Sequence, residues 1–158
     1  MTTSLAVNDD YLSKIITKKY GSSDWQRYNK RIWDQIYTKV PKPMHFEAFF
    51  YSHAEHMTDG EYKCGQWEVV GIAAGGFYLR PVCDSPFQPQ ITVYSCFSQH
   101  TVSYDAFGLA CSIMCFANWQ GMTMPSEYLS TLYENCRDLA FTGISSHPEY
   151  SEILTIID

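Results

Sequence analysis

The sequence predicts an α+β fold in a single domain: a small antiparallel β-sheet, made of a central hairpin plus a further strand, packed with about five to six α-helices. Three observations lead there. Two apolar, aromatic half-strands, Gln66 to Ile72 and Phe77 to Pro81, flank the paired glycines Gly75 and Gly76, which take φ > 0 without a Cβ clash and so let the chain reverse. Helix-period apolar patterns lie before and after this hairpin rather than alternating with strands, which excludes βαβ repeats. At 158 residues and 46% hydrophobic composition, the chain has enough material to bury roughly two-thirds of its unfolded surface around one core.

Taken in order, Asp10 to Tyr20 places Leu12, Ile15, Ile16 and Tyr20 near a 3.6 period, with Gly21 following as a helix terminator, and reads as a first helix. Ser23 or Asp24 caps a second, whose stripe is Trp25, Tyr28, Ile32, Trp33, Ile36 and Tyr37, and which stops at Pro41 and Pro43. A third helical pattern runs from about His45 to Met57. After the hairpin and a proline-rich loop comes a strand over Gln90 to Phe97, rich in β-branched and aromatic residues. Ser103 is the expected N-cap of the most apolar helix, in which Phe107, Ala110, Cys111, Met114 and Phe116 to Trp119 leave almost no polar face apart from Asn118, and which is expected to lie at the centre of the core. Pro125 opens the next helix and Gly143 ends it; Ser146, Pro148 and Glu149 open a last one through Ile153 to Ile157.

Charge is uneven. Residues 1–42, the basic helical N-terminal segment, hold 8 of the 11 basic residues and 4 of the 17 acidic ones, a net +4, while residues 43–158 hold 3 and 13, a net −10. Such a split describes either an oriented electrostatic partner surface or an N-terminal helix pair docked on an acidic body. No apolar run reaches the ~18–20 residues of a membrane span, and the start lacks a signal-peptide pattern, so a cytoplasmic protein with no membrane partner is expected. In that reducing compartment the six cysteines read as buried small hydrophobes. Neither Cys111 with Cys115 nor His53 and His56 with Glu55 completes a metal-ligand set, so no metal and no cofactor are expected.

The spacing tests for common hydrolases, P-loop and dinucleotide enzymes all fail, and nothing singles out a cysteine for a Cys–His pair, so the chain is expected not to be an enzyme. Trp67, Phe77 and Tyr78 lie on the predicted sheet and can in principle stack bases, but Arg80 is the only cation between Cys64 and Cys136, too few for strong DNA binding.

Tyr62, then Gly65-Gln66-Trp67, then Gly75-Gly76-Phe77-Tyr78 and Pro81 resemble the central motif of the ArdB/KlcA antirestriction proteins, carried by plasmids and genomic islands. His147-Pro148-Glu149, Ile153 and Ile157-Asp158 are similar to that family's C-terminal ending, and Phe46-Glu47-Ala48 to a helix start before it. Cys64 stands where a glycine is common and Ala74 where an asparagine usually precedes the glycine pair. The resemblance implies a non-enzymatic inhibitor of type I restriction-modification that protects incoming mobile-element DNA, acting on the restriction enzyme or on a host factor. It implies a route other than DNA mimicry; the dispersed carboxylates, never more than two adjacent (Asp9-Asp10), point the same way. The competing reading is a nucleic-acid-binding accessory protein of a mobile element. On the antirestriction reading the candidate partner-contact residues are Gly75, Gly76, Tyr78 and Arg80 on the hairpin edge, plus Asp158, which otherwise only solubilises the chain end; Trp67 and Phe77 are expected to support the hairpin.

Overall fold

The structure, a computed structural model, describes residues 9–63, 65–95, 98–142 and 146–158. Cys64, the Phe97 end of the expected strand and the expected helix terminator Gly143 lie outside the described residues. The elements run α1 (Asp9–Leu12), β1 (Ile15–Ile16), α2 (Ser23–Lys39), α3 (Pro43–Met57), β2 (Trp67–Ile72), β3 (Phe77–Pro81), β4 (Gln90–Tyr94), β5 (Gln99–Ser103), α4 (Tyr104–Met122), α5 (Glu127–Phe141) and α6 (Tyr150–Ile157). This is the α+β architecture expected, with helices on both sides of a central hairpin.

The hairpin pairs Trp67 with Pro81 and Gly71 with Phe77, and its turn places Gly75 at φ +129° and Gly76 at φ +87°. Both left-handed positions therefore fall on glycines. Ala74 is not asked to adopt one, which explains how the chain dispenses with the asparagine usual there.

The expected helix from Asp10 to Tyr20 is corrected. It stops after one turn, and Ile15 and Ile16 instead pair with Ile72 and Gly71, with Ala73 N donating to Lys14 O at 2.8 Å. The period placed apolar residues well for a helix, but β2 offers an open edge, and β-branched isoleucines suit a ladder that satisfies it. The segment 1–42 is thus helical only in α1 and α2 among its described residues. The cap of α2 is also corrected: Ser22, rather than Ser23 or Asp24, accepts from Trp25 N at 3.1 Å. Pro43, expected to stop α2, opens α3 at its first turn, where the missing N–H costs nothing. Similarly, Ser126 and not Pro125 begins α5, accepting from Leu129 N.

The further strand also differs in its partner. β4 joins β5 in a separate two-stranded sheet rather than extending the central one. Ser103 caps α4 as expected, its Oγ accepting from Ala106 N at 3.1 Å. That helix is buried around most of its circumference and packs against β3, α5, α3 and α6. At Gly108 it approaches so closely that an added Cβ would lie 2.5 Å from the Arg80 Cα and the Leu79 carbonyl oxygen.

A buried polar network and an open groove

β3 is the edge strand of its sheet, and α4 and α5 seal that edge. Ser112 Oγ accepts from Leu79 N at 2.9 Å and donates to Leu79 O at 3.3 Å, while the Cys136 thiol donates to Phe77 O at 3.3 Å. Backbone groups that would otherwise recruit another strand are thereby occupied.

Period-two alternation sends Tyr78 and Arg80 to the same side of β3, and there they meet Asp105 from the first turn of α4. Asp105 is fully buried and is the hub of a polar network. Its Oδ1 accepts from Tyr78 OH at 2.6 Å and Arg80 Nη1 at 2.7 Å; its Oδ2 accepts from Tyr11 OH at 3.0 Å and faces His147 Nε2 at 2.8 Å. Arg80 Nε also donates to Glu68 Oε2 at 3.2 Å, and Glu68 Oε1 takes the Trp25 indole N–H at 2.9 Å. His147 Nδ1 accepts the Glu149 backbone N–H at 2.9 Å, which places the ring proton on Nε2, toward Asp105. Glu149 in turn accepts from Ser103 N at 2.9 Å and from Ser103 Oγ. Both Asp105 and Glu149 therefore sit at the N-terminus of α4, where the helix dipole favours negative charge.

The electrostatics follow from this geometry. Burial alone raises the Asp105 carboxyl, but the His147 hydrogen bond, the Arg80 charge and the Tyr78 hydroxyl outweigh it and hold the group well below the usual carboxylate range. Burial and then the Asp105 charge push the Tyr11 and Tyr78 phenols well up. Arg80 is desolvated, which lowers it, yet Asp105 more than compensates and keeps it firmly charged. Burial raises the Cys136 thiol, and burial with Cys111 raises Cys115, so neither is a ready thiolate nucleophile.

The expectation that Tyr78 and Arg80 present a contact surface is corrected by their burial: Tyr78 is 0% and Arg80 5% exposed, because both satisfy Asp105. Phe77 is buried against Phe116, and Trp67 is half-buried against Phe50, Tyr62 and Phe107. Gly75 is half-buried and Gly76 exposed at the hairpin tip, beside Asn135 of α5. Asp158 is exposed and lines a different feature, a groove of about 790 Å³ shared with His53, His56, Asp59, Tyr94 and Met114. The hairpin tip does not contribute to that groove. His53 Nε2 is buried with no hydrogen-bond partner among the described residues, and burial followed by His56 lowers its imidazole, favouring the neutral ring.

Tyr11, Glu68 and Asp105 escaped the sequence reading. Glu68 was within reach: Glu68 and Arg80 are cross-strand partners once the turn is centred on Ala74. Asp105 reads as an ordinary first-turn acid, and nothing local marks Tyr11. No group of three metal-ligating side chains gathers among the described residues, and no described helix is long and apolar enough to cross a membrane.

Two comparisons bear on this architecture. A solved structure of the KlcA and ArdB proteins, which show a novel fold and antirestriction activity against type I DNA restriction systems in vivo but not in vitro, matches with a TM-score of 0.63 and 19% identity over 90% of this chain and 99% of that chain. The fold is therefore of the KlcA/ArdB type. The family model for antirestriction proteins matches residues 60–158, and the chain belongs to the antirestriction protein family. The matched region holds the hairpin and the His147–Glu149 segment, and so most of the network built on Asp105. No curated protein matches the chain.

Proposed function

We propose that this protein is a non-enzymatic inhibitor of type I restriction that acts in the cytoplasm through contact with the restriction enzyme or a host factor acting on it, and so protects incoming mobile-element DNA. The observation that carries the reading is the family match across 60–158, a region whose motif residues Tyr78 and His147 meet, with Arg80, on the buried Asp105, Glu149 bonding His147 behind them.

A non-catalytic route is supported by the state of the His–carboxylate pair: His147 and Asp105 are both withdrawn from solvent, and His147 Nδ1 is already engaged, leaving no nitrogen free to shuttle protons for a substrate. A route other than DNA mimicry is supported by the fate of Glu68, Asp105 and Glu149, which are buried and bonded instead of lining the surface at phosphate spacing. The KlcA and ArdB proteins act in vivo but not in vitro, which favours a mechanism that needs a cellular component. Among the candidate contacts, Gly75 and Gly76 at the tip and Asp158 on the groove remain open to a partner.

Plating of unmodified phage on cells carrying a type I system, with and without this gene, tests the reading when methylation of surviving phage is scored separately. Restored plating with methylation retained is expected. Unchanged plating at full protein levels overturns it.

A further inference from the structure

We propose that the outward face of α2 is a docking surface for an acidic protein segment. α2 turns Asn29, Ile32 and Ile36 inward and leaves Arg27, Lys30, Arg31 and Lys39 in solvent, spread over about 18 Å of helix. A shallow groove of about 460 Å³, lined entirely by α2 residues that include these four cations, runs along this stripe.

The cations are held in place but not consumed. Arg27 bonds Asp24 at 2.6 Å and Lys30 bonds Asp34 at 2.9 Å, pairs internal to α2 whose cationic side chains are 77% and 79% exposed. Arg31 lies over the Tyr28 ring and Lys39 over the Tyr128 ring. Exposed pairs of this kind are weak and exchange readily for a partner's carboxylates, while the ring contacts restrain the side chains before binding. Because Asp24 and Asp34 belong to α2 itself, these pairs leave the net −10 of residues 43–158 unneutralised.

That remainder selects the partner. A long polyanion such as duplex DNA extends beyond α2 and meets the field of the acidic body, whereas a short acidic segment faces the basic stripe alone. Arginine forks match carboxylates and phosphates alike in bidentate geometry, so the length of the partner and its apolar content make the selection. The border of the stripe also carries exposed apolar surface: Tyr37 donates to Glu47 at 2.9 Å at the start of α3, close in sequence to Met44, which is 72% exposed. A segment combining carboxylates with an apolar side chain fits both features, and a phosphate backbone does not.

The surface stands independently of the antirestriction reading; only the assignment of its partner to the restriction machinery rests on that reading. Wild-type protein, R27E/K30E/R31E, the milder R27Q/K30Q/R31Q and the control K14E/K18E/K19E are titrated with fluorescein-labelled oligoglutamate and with duplex DNA of matched charge, following anisotropy. Circular dichroism and Tm verify folding. Wild type is expected to bind oligoglutamate more tightly than DNA, both α2 variants to bind at least about tenfold more weakly, and the control to retain binding. Absent oligoglutamate binding, tighter binding of DNA, unchanged binding by folded R27Q/K30Q/R31Q, or equal loss in the control overturns the assignment. The same variants enter the plating assay, where the α2 substitutions are expected to abolish protection that the control keeps. If wild type itself fails to protect, the antirestriction reading falls while the anisotropy still judges the surface.

Discussion

Arg80 Nη1 donates to Asp105 Oδ1 across 2.7 Å, and both side chains are withdrawn from solvent. This one contact ties the central hairpin to the first turn of α4, and Glu68 on the neighbouring strand makes the same guanidinium a bridge between two carboxylates. Buried ion pairs are not inherently stabilising, but removing one member leaves an uncompensated charge in a low-dielectric interior.

Arg80→Met is therefore expected to destabilise the protein by about 3–5 kcal/mol, measured as a lower urea midpoint, because Glu68 and Asp105 lose their shared cation. Any loss of activity should follow loss of folded protein. A folded Arg80→Met protein of unchanged stability that fails to protect phage would return Arg80 to the contact surface.

The depressed Asp105 carboxyl sets an acid limit on stability. Its folded-state value lies below its unfolded one, so its contribution is fully present above about pH 4 and is lost as pH falls further. His53 acts in a higher window: buried and neutral in the fold, it takes up a proton in the unfolded chain below about pH 6.5, so stability also declines as pH drops below that value. Chemical denaturation from pH 7 to pH 3 should show both slopes, with His53→Gln flattening the upper one and leaving the lower.

Two helical glycines in α4 should respond oppositely to alanine. At Gly108 a Cβ meets the β3 backbone at 2.5 Å, so Gly108→Ala is expected to cost about 3 kcal/mol or more. At Gly121 nothing lies within 4 Å, and Gly121→Ala is expected to stabilise by about 0.5–1 kcal/mol through helix propensity. Equal effects on Tm would refute the close approach of α4 to β3.

Asp158 is exposed on the groove, so Asp158→Asn is expected to leave Tm unchanged while lowering phage plating about tenfold if the groove receives a partner. Full protection by this variant removes Asp158 from the contact surface.

The local elements were legible in the sequence because the forces that set them act over a few residues. The glycine pair with its apolar flanks located the hairpin, the helix-period runs located α3, α4 and α5 to within a few residues, and Ser103 identified its own cap. Family motifs were legible for the same reason, as fixed residue types at fixed spacing.

The destination of each polar side chain was decided only in three dimensions. Arg80 meets Asp105 25 residues away and Tyr11 meets it across 94, distances over which periodicity carries no information. That Tyr78 and Arg80 share one side of a strand follows from their spacing of two. Whether that side faced solvent depended on α4 and α1 folding over it, and once they did, an ionised carboxylate in the interior required the charge and hydrogen bonds that these residues supply. The segment Ile15–Ile16 was settled the same way, its helical pattern overridden by an unpaired strand edge that only the assembled hairpin presents.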